Sequence, residues 1–214
     1  MTTTTAQRAA FVSARLSQED QSRADFYALL ARLFFAPADE RLLRSIVIAP
    51  ESDADMQSAD SPLLESWRGL AAAAGAVSAA ELEDEFNQLF VSVGRSDVMP
   101  FASYYLTGFM HEKPLAQLRA DLAVLGLARS SAVLETEDHI AALCDVMRFL
   151  IVGDNETLPA GIAAQKAFFA AHLQPWVLQF CQAVKQAEKA NFYKRVANFA
   201  QAFFEIEIAA FEID

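Results

Sequence analysis

Apolar positions in this chain recur every third or fourth residue almost from end to end, and no stretch alternates with the period of a strand. The first stripe, Phe26, Leu29, Leu30, Leu33 and Phe34, predicts a helix from about Glu19 to Phe35, capped by Ser17 and ended by Pro37. A short helix follows near Asp39–Ile48, and another starts at Pro62, carrying Leu63, Leu64, Trp67 and Leu70 towards Gly75. "SAAE" at 78–81 is a capping box, and the helix it opens places Leu82, Phe86, Leu89 and Phe90 on one face. Pro114 suits a first helical turn, and Gly126 suits a left-handed cap after "LAQLRADLAVL".

Farther on, Ile140, Leu143, Met147 and Leu150 form a buried stripe. "GIAAQKAFFAAHL" and "PWVLQFCQAVKQA" predict two more helices, the second opened by Pro175. A last helix from about Asn191 to Phe211 turns Phe192, Phe199, Phe203, Ile206 and Ala210 inward. Residues 49–62, 94–100 and 152–159 read as loops, the first acidic, Ser-rich and mobile. The pattern predicts an all-α multi-helix bundle over residues 19–214, preceded by a flexible segment, 1–18.

Composition narrows the function. Lys plus Arg number 17 against 28 Asp plus Glu, a net charge of −11, which disfavours nucleic acid and anionic lipid and favours basic partners. Cys144 and Cys181 lack any paired spacing, so a reducing cytoplasm fits and a disulfide framework does not. Asp145 and Arg148 interrupt "IAALCDVMRFLIV", leaving no run of spanning length and no stable membrane insertion. His111 and His172 show no ligand spacing, so no metal is expected. Gly69 and Gly75 flank alanines rather than forming a phosphate loop, so no cofactor is expected, although a weak nucleotide site is left open.

Three stretches carry candidate chemistry. In "ETEDHIAALCDVM" (135–147), Glu135, Glu137 and Asp138 suit the positive start of a helix, with His139 at the edge of its stripe. Capping explains those acids; a binding surface or an Asp138–His139 acid–base pair are the alternatives, the last with no nucleophile elbow to serve. In "MPFASYYLTGFM" (99–110), Ser103 is a plausible cap, while Phe101, Tyr104, Tyr105 and Phe109 suit either the core or a groove for an apolar peptide. In the third, His172 and Trp176 straddle a helix corner that Trp can fill while His bonds exposed carbonyls.

The ordered set "FYALLARLFFAP" (26–37), "EFNQLF" (85–90), "PFASYYL" (100–106), "ETEDH" (135–139) and "FFAAHLQPWVLQF" (168–180), followed by "FY" at 192–193, resembles the TorD/DmsD/NarJ family of molybdoenzyme chaperones. Thr136 stands where that family's E-P-x-D-H signature has proline. The resemblance implies a cytoplasmic, non-enzymatic, all-helical chaperone, monomer or dimer. It would bind the twin-arginine leader or apo form of a molybdoenzyme catalytic subunit, such as a formate dehydrogenase or a DMSO-reductase-family enzyme. The molybdenum cofactor would belong to that client. The implied client-binding residues are Glu135, Asp138 and His139, with Pro100, Phe101, Ser103 and Tyr104 beside them. An acid-rimmed apolar groove would suit two guanidiniums next to an apolar segment. A helical adaptor or subunit that binds a protein partner constitutively is the other reading.

Overall fold

Helix-favouring composition and well-placed caps produce the elements of the computed structural model, which describes residues 16–49, 61–91, 96–110, 112–130, 133–154 and 157–213. The expectations for residues 1–15, for His111, for most of the 49–62 loop and for parts of the loops at 94–100 and 152–159 lie outside the described residues. Helix α1 (Gln18–Phe35) is capped by the Ser17 side chain, which accepts from Asp20 N. It is followed by α2 (Glu40–Ile48), α3 (Pro62–Ala74) and α4 (Ala79–Phe86), the last opened by the expected Ser78–Glu81 capping box. Then come α5 (Ala102–Thr107), α6 (Lys113–Val124), α7 (Ile140–Val152), α8 (Ile162–His172), α9 (Val177–Gln186) and α10 (Phe192–Ile213).

The helix predicted through Leu89 and Phe90 changes character at Asn87, where five residues, Asn87–Val91, form a π-helical turn. The wider turn is invisible in an apolar pattern that both geometries satisfy. Gly126 does take the left-handed conformation (φ 73°), with Leu127 N donating to Leu122 O at 2.8 Å.

The most extensive packing is α1 along α7, while α10 packs on α3 and α9. Aromatic rings join these layers: Phe26 meets Phe199 edge-on at 5.2 Å, Tyr27 meets Phe203 at 4.9 Å and Phe34 meets Phe180 at 4.9 Å. Trp176 fills the corner between α8 and α9 and stacks on Tyr105 at 5.3 Å. His172 bonds the Asp121 carboxylate (2.8 Å) instead of a carbonyl; the carbonyl of His172 is itself taken by Trp176 Nε1 at 2.7 Å.

The inner stripe of α10 departs from expectation. Ile206 is 46% exposed and Ala210 is also outside, whereas Glu207 and Phe211 are buried. Four residues advance a helix by little more than one turn, so Phe203 continues to Glu207 and Phe211, and hydrophobicity alone misleads. Glu207 is tolerated because Arg23 clamps it in a two-bond fork (2.7 and 2.9 Å) and Tyr27 donates to it at 2.9 Å. Burial acts to lower the Arg23 pKa, but the Glu207 bonds and charge raise it overall; burial and Glu207 push the Tyr27 phenol well above its ordinary range.

Glu85, first residue of the "EFNQLF" stretch, has a comparable long-range role. Its carboxylate accepts from the amides of Asn191 (2.7 Å), Phe192 (3.1 Å) and Tyr193 (2.9 Å), covering the orphan donors at the start of α10.

Candidate client-binding groove

The segment before α5 and the segment before α7 lie side by side and are stitched together. Ile140 N donates to Pro100 O at 2.8 Å, and Ala102 N to Asp138 O at 3.0 Å, around an isolated antiparallel bridge between Phe101 and His139. Asp138, 1% exposed, completes the clamp. Its Oδ2 accepts from Ser103 N (3.0 Å) and Ser103 Oγ (2.6 Å), and its Oδ1 accepts from Thr136 Oγ1 (2.6 Å). Ser103 therefore caps nothing: α5 starts at Ala102 without a side-chain cap, and the fully buried Ser103 hydroxyl serves Asp138.

His139, 5% exposed, is the N-cap of α7, its Nδ1 accepting from Ala141 N at 3.1 Å. The neutral ring then carries its proton on Nε2. Burial pushes its pKa down to about 4, only partly opposed by the Asp138 charge. His139 thus stays neutral near pH 7, and its Phe101 neighbour lies edge-on at 5.0 Å. No hydrogen bond joins Asp138 to His139 among the described residues, so they do not form an acid–base pair.

The acids of the stretch are not spent on the α7 dipole, since α7 begins only at Ile140. Glu137 bonds Arg119 at 2.9 Å and faces Arg129 at 3.8 Å. Burial would raise its pKa, but the two arginines, led by the Arg119 bond, hold it below the usual range. Arg129 also donates to the carbonyls of Val133, Leu134 and Glu135, bracing the loop from within. Glu135 itself is exposed.

Behind this loop opens a groove of about 670 Å³ between α1, the end of α6 and α7. Glu135, Glu137 and His139 belong to it, but its apolar lining comes from Phe35, Leu122, Leu127, Val146 and Phe149 rather than from the 101–109 aromatics. Tyr104 and Tyr105 line a separate cavity of about 490 Å³ with Met99 and Val98. Phe109 is 70% exposed and belongs to neither. The rim is not purely acidic: Arg32, Arg129 and Arg148 stand among Glu135, Glu137 and Asp145.

The groove residues missed in the sequence sit on a second face of helices already assigned to the core. On α1 the stripe Ala28, Arg32 and Phe35 lies beside the core stripe Tyr27, Leu30 and Phe34. Small Ala28, Ala31, Ala141 and Ala142 on facing helices leave the space, and that pairing of alanines was the available signal. Among the described residues no cluster of three metal-ligating side chains occurs, and no helix is long and apolar enough to cross a membrane.

Comparison with known proteins adds the following. The sequence profile of the nitrate reductase delta subunit family matches residues 56–182. Chaperone protein TorD of Photobacterium profundum is 32% identical over 136 residues, covering 60% of this chain and 63% of that protein. Chaperone protein TorD of Vibrio cholerae is 30% identical over 131 residues, covering 58% and 60%. The alignments thus span less than two thirds of these relatives' own length. A crystal structure from Archaeoglobus fulgidus assigned to redox enzyme maturation superposes with a TM-score of 0.57 at 18% identity, covering 86% of this chain and 93% of that one.

Proposed function

This chain belongs to the nitrate reductase delta subunit family, and from that premise we propose that it is a chaperone for the maturation of a molybdenum-cofactor oxidoreductase. It acts in the cytoplasm and performs no chemistry of its own: it holds the leader or an apo segment of its client, and the molybdenum cofactor enters the client. Support comes from the aligned relatives, which are named as chaperones, and from the groove. The groove carries the reading. An apolar trough of about 670 Å³, flanked by helices and edged by charges of both signs, suits an amphipathic peptide that offers an apolar face and flanking arginines.

The sequence-predicted residues divide in this proposal between the groove, the clamp beside it and the other cavity, with His139 both capping α7 and lining the groove. Glu135 meets the client from the rim, with the groove faces of Phe35, Val146 and Phe149 beneath it. Asp138, Ser103, Pro100 and Phe101 fix the loop that carries Glu135 and Glu137 without reaching the client, because they are buried or turned into the clamp. Tyr104 faces the other cavity.

Affinity capture from the native host tests the proposal. The expected catch is one molybdoenzyme catalytic subunit, leader intact and cofactor absent, and Phe35→Glu on the half-exposed groove wall should abolish it while leaving the fold unchanged. The family's own description as a subunit favours one alternative, a constitutive partner. Co-purification of the mature, cofactor-loaded complex in fixed stoichiometry would select that alternative.

A further inference from the structure

The charged residues Arg32, Arg129, Arg148, Glu135, Glu137 and Asp145 line the groove, and formally they cancel. Their bonding is unequal. The Glu137 carboxylate is held by Arg119 at 2.9 Å, with Arg129 at 3.8 Å. Asp145 is bonded at 2.9 Å to Arg148, one turn further along α7. Arg32 faces Asp39, outside the groove lining, at 4.0 Å. Among the described residues, Glu135 is the one acid of the lining whose carboxylate has no hydrogen-bond or ion-pair partner.

These pairings decide where an incoming cation gains. At Glu137 it has to displace Arg119, and at Asp145 it has to displace Arg148. Either exchange trades one guanidinium for another and leaves the displaced one beside the newcomer, so the Coulomb gain is small. At Glu135 nothing is displaced. The position is also held from both sides. The Glu135 carbonyl accepts from Arg129 Nη1 at 3.3 Å. The turn that follows is closed by His139 N on Thr136 O at 3.1 Å and by Thr136 Oγ1 on Asp138 at 2.6 Å. A fixed backbone lowers the ordering cost of binding there. A second cation beside the first meets Arg32, Arg129 and Arg148, with no unpaired carboxylate in the lining left to seat it.

We propose that the groove reads one cation of its client and not a pair, and that Glu135 is the residue that reads it. The proposal rests on the reading of this groove as the client site and narrows the class of segment it takes. That segment carries one required cationic side chain beside an apolar run, and the run lies on Phe35, Leu127, Val146 and Phe149. Of two adjacent arginines, one is therefore replaceable by a neutral residue. Because Glu135 is exposed, the pair it forms contributes a modest factor, about fivefold in affinity.

Titration with synthetic peptides tests this. Each carries the same leucine-rich run, preceded by Arg-Arg, Arg-Ala, Ala-Arg or Ala-Ala, and each is added to the parent protein, Glu135→Gln and Asp145→Asn. With the parent, Ala-Ala should bind about fivefold more weakly than Arg-Arg, while at least one single-arginine peptide keeps the full affinity. Glu135→Gln should bind no arginine peptide better than Ala-Ala, and Asp145→Asn should discriminate as the parent does. Two arginines that each contribute, a discrimination that survives Glu135→Gln, or one that is lost in Asp145→Asn overturns the inference. Phe35→Glu separates it from the reading beneath it. Loss of every peptide in that variant keeps the groove as the site even where the arginine pattern overturns the inference. Unchanged binding by Phe35→Glu, or no binding by the parent, removes the groove reading and the inference together.

Discussion

Asp138→Ala separates a buried clamp from a surface contact. The carboxylate accepts three hydrogen bonds, from Ser103 N, Ser103 Oγ and Thr136 Oγ1, at 3.0, 2.6 and 2.6 Å. Bonds to a charged acceptor are worth about 1.5–3 kcal/mol each, and alanine leaves all three donors without a partner. Against this, the variant no longer buries a carboxylate, which relieves a desolvation cost of several kcal/mol. At 1% exposure water cannot readily replace the lost acceptor. The balance is a loss of about 2–4 kcal/mol, several times what a simple exposed cap would lose. For a chain of this length each kcal/mol shifts the melting midpoint by about 2–4 °C, so 3 kcal/mol gives about 6–12 °C. Asp138→Asn keeps one acceptor for Ser103 and should lose about 1 kcal/mol. Urea titration of both variants, with Ser103→Ala to close a double-mutant cycle, measures the terms. An Asp138→Ala protein within 0.5 kcal/mol of the parent, a tolerance typical of surface changes, or a cycle with no coupling, would refute the clamp.

Three further outcomes follow from the same geometry. His139 has its pKa pushed down to about 4 against an unfolded value near 6.5, so the unfolded chain binds the extra proton first. Its stabilising contribution is full above about pH 6.5 and vanishes as pH falls through 4, a loss of order 3 kcal/mol that His139→Asn should remove from the stability–pH profile. Glu207→Ala removes the fork from the part-buried Arg23, leaving it Asp20 and Gln165, and should cost about 3 kcal/mol, whereas Arg23→Met with Glu207→Leu should recover most of it; equal losses in both would contradict the fork. Leader binding, measured by titration from about 50 to 500 mM salt, should weaken by less than about tenfold because the rim arginines offset its acids, and a steeper fall would mark an acid-dominated site.

Helix positions and most core stripes were legible because each depends on spacing within one element. Ser17, Ser78–Glu81 and Gly126 announce their caps locally, and the structure uses them as local signals require. The failures share a cause: the deciding partner is distant in sequence. Glu207 is inside because Arg23 lies 184 residues away, and Glu85 caps a helix more than 100 residues later. Ser103 suits a cap by its local sequence, but Asp138, 35 residues on, claims its hydroxyl. The groove escaped for a related reason. It is a gap between alanine faces of α1 and α7, and neither face declares which helix it will oppose.

The resemblance implies a client surface at the Asp-His motif, and the polarity that suits such a surface is equally what a buried junction between two loops demands. Two loops that meet without regular secondary structure leave amide and hydroxyl donors to satisfy, and one carboxylate placed between them satisfies three. That same carboxylate fixes the loop bearing Glu135 and Glu137, so a substitution there can move the groove rim without removing any atom that faces it. Loss of client capture in an Asp138 variant is therefore ambiguous by itself. The distinction lies in the pairing of readouts: a positioning residue loses stability and capture together and regains both as asparagine. A contact residue, the role proposed for Glu135 at the exposed rim, should lose capture alone.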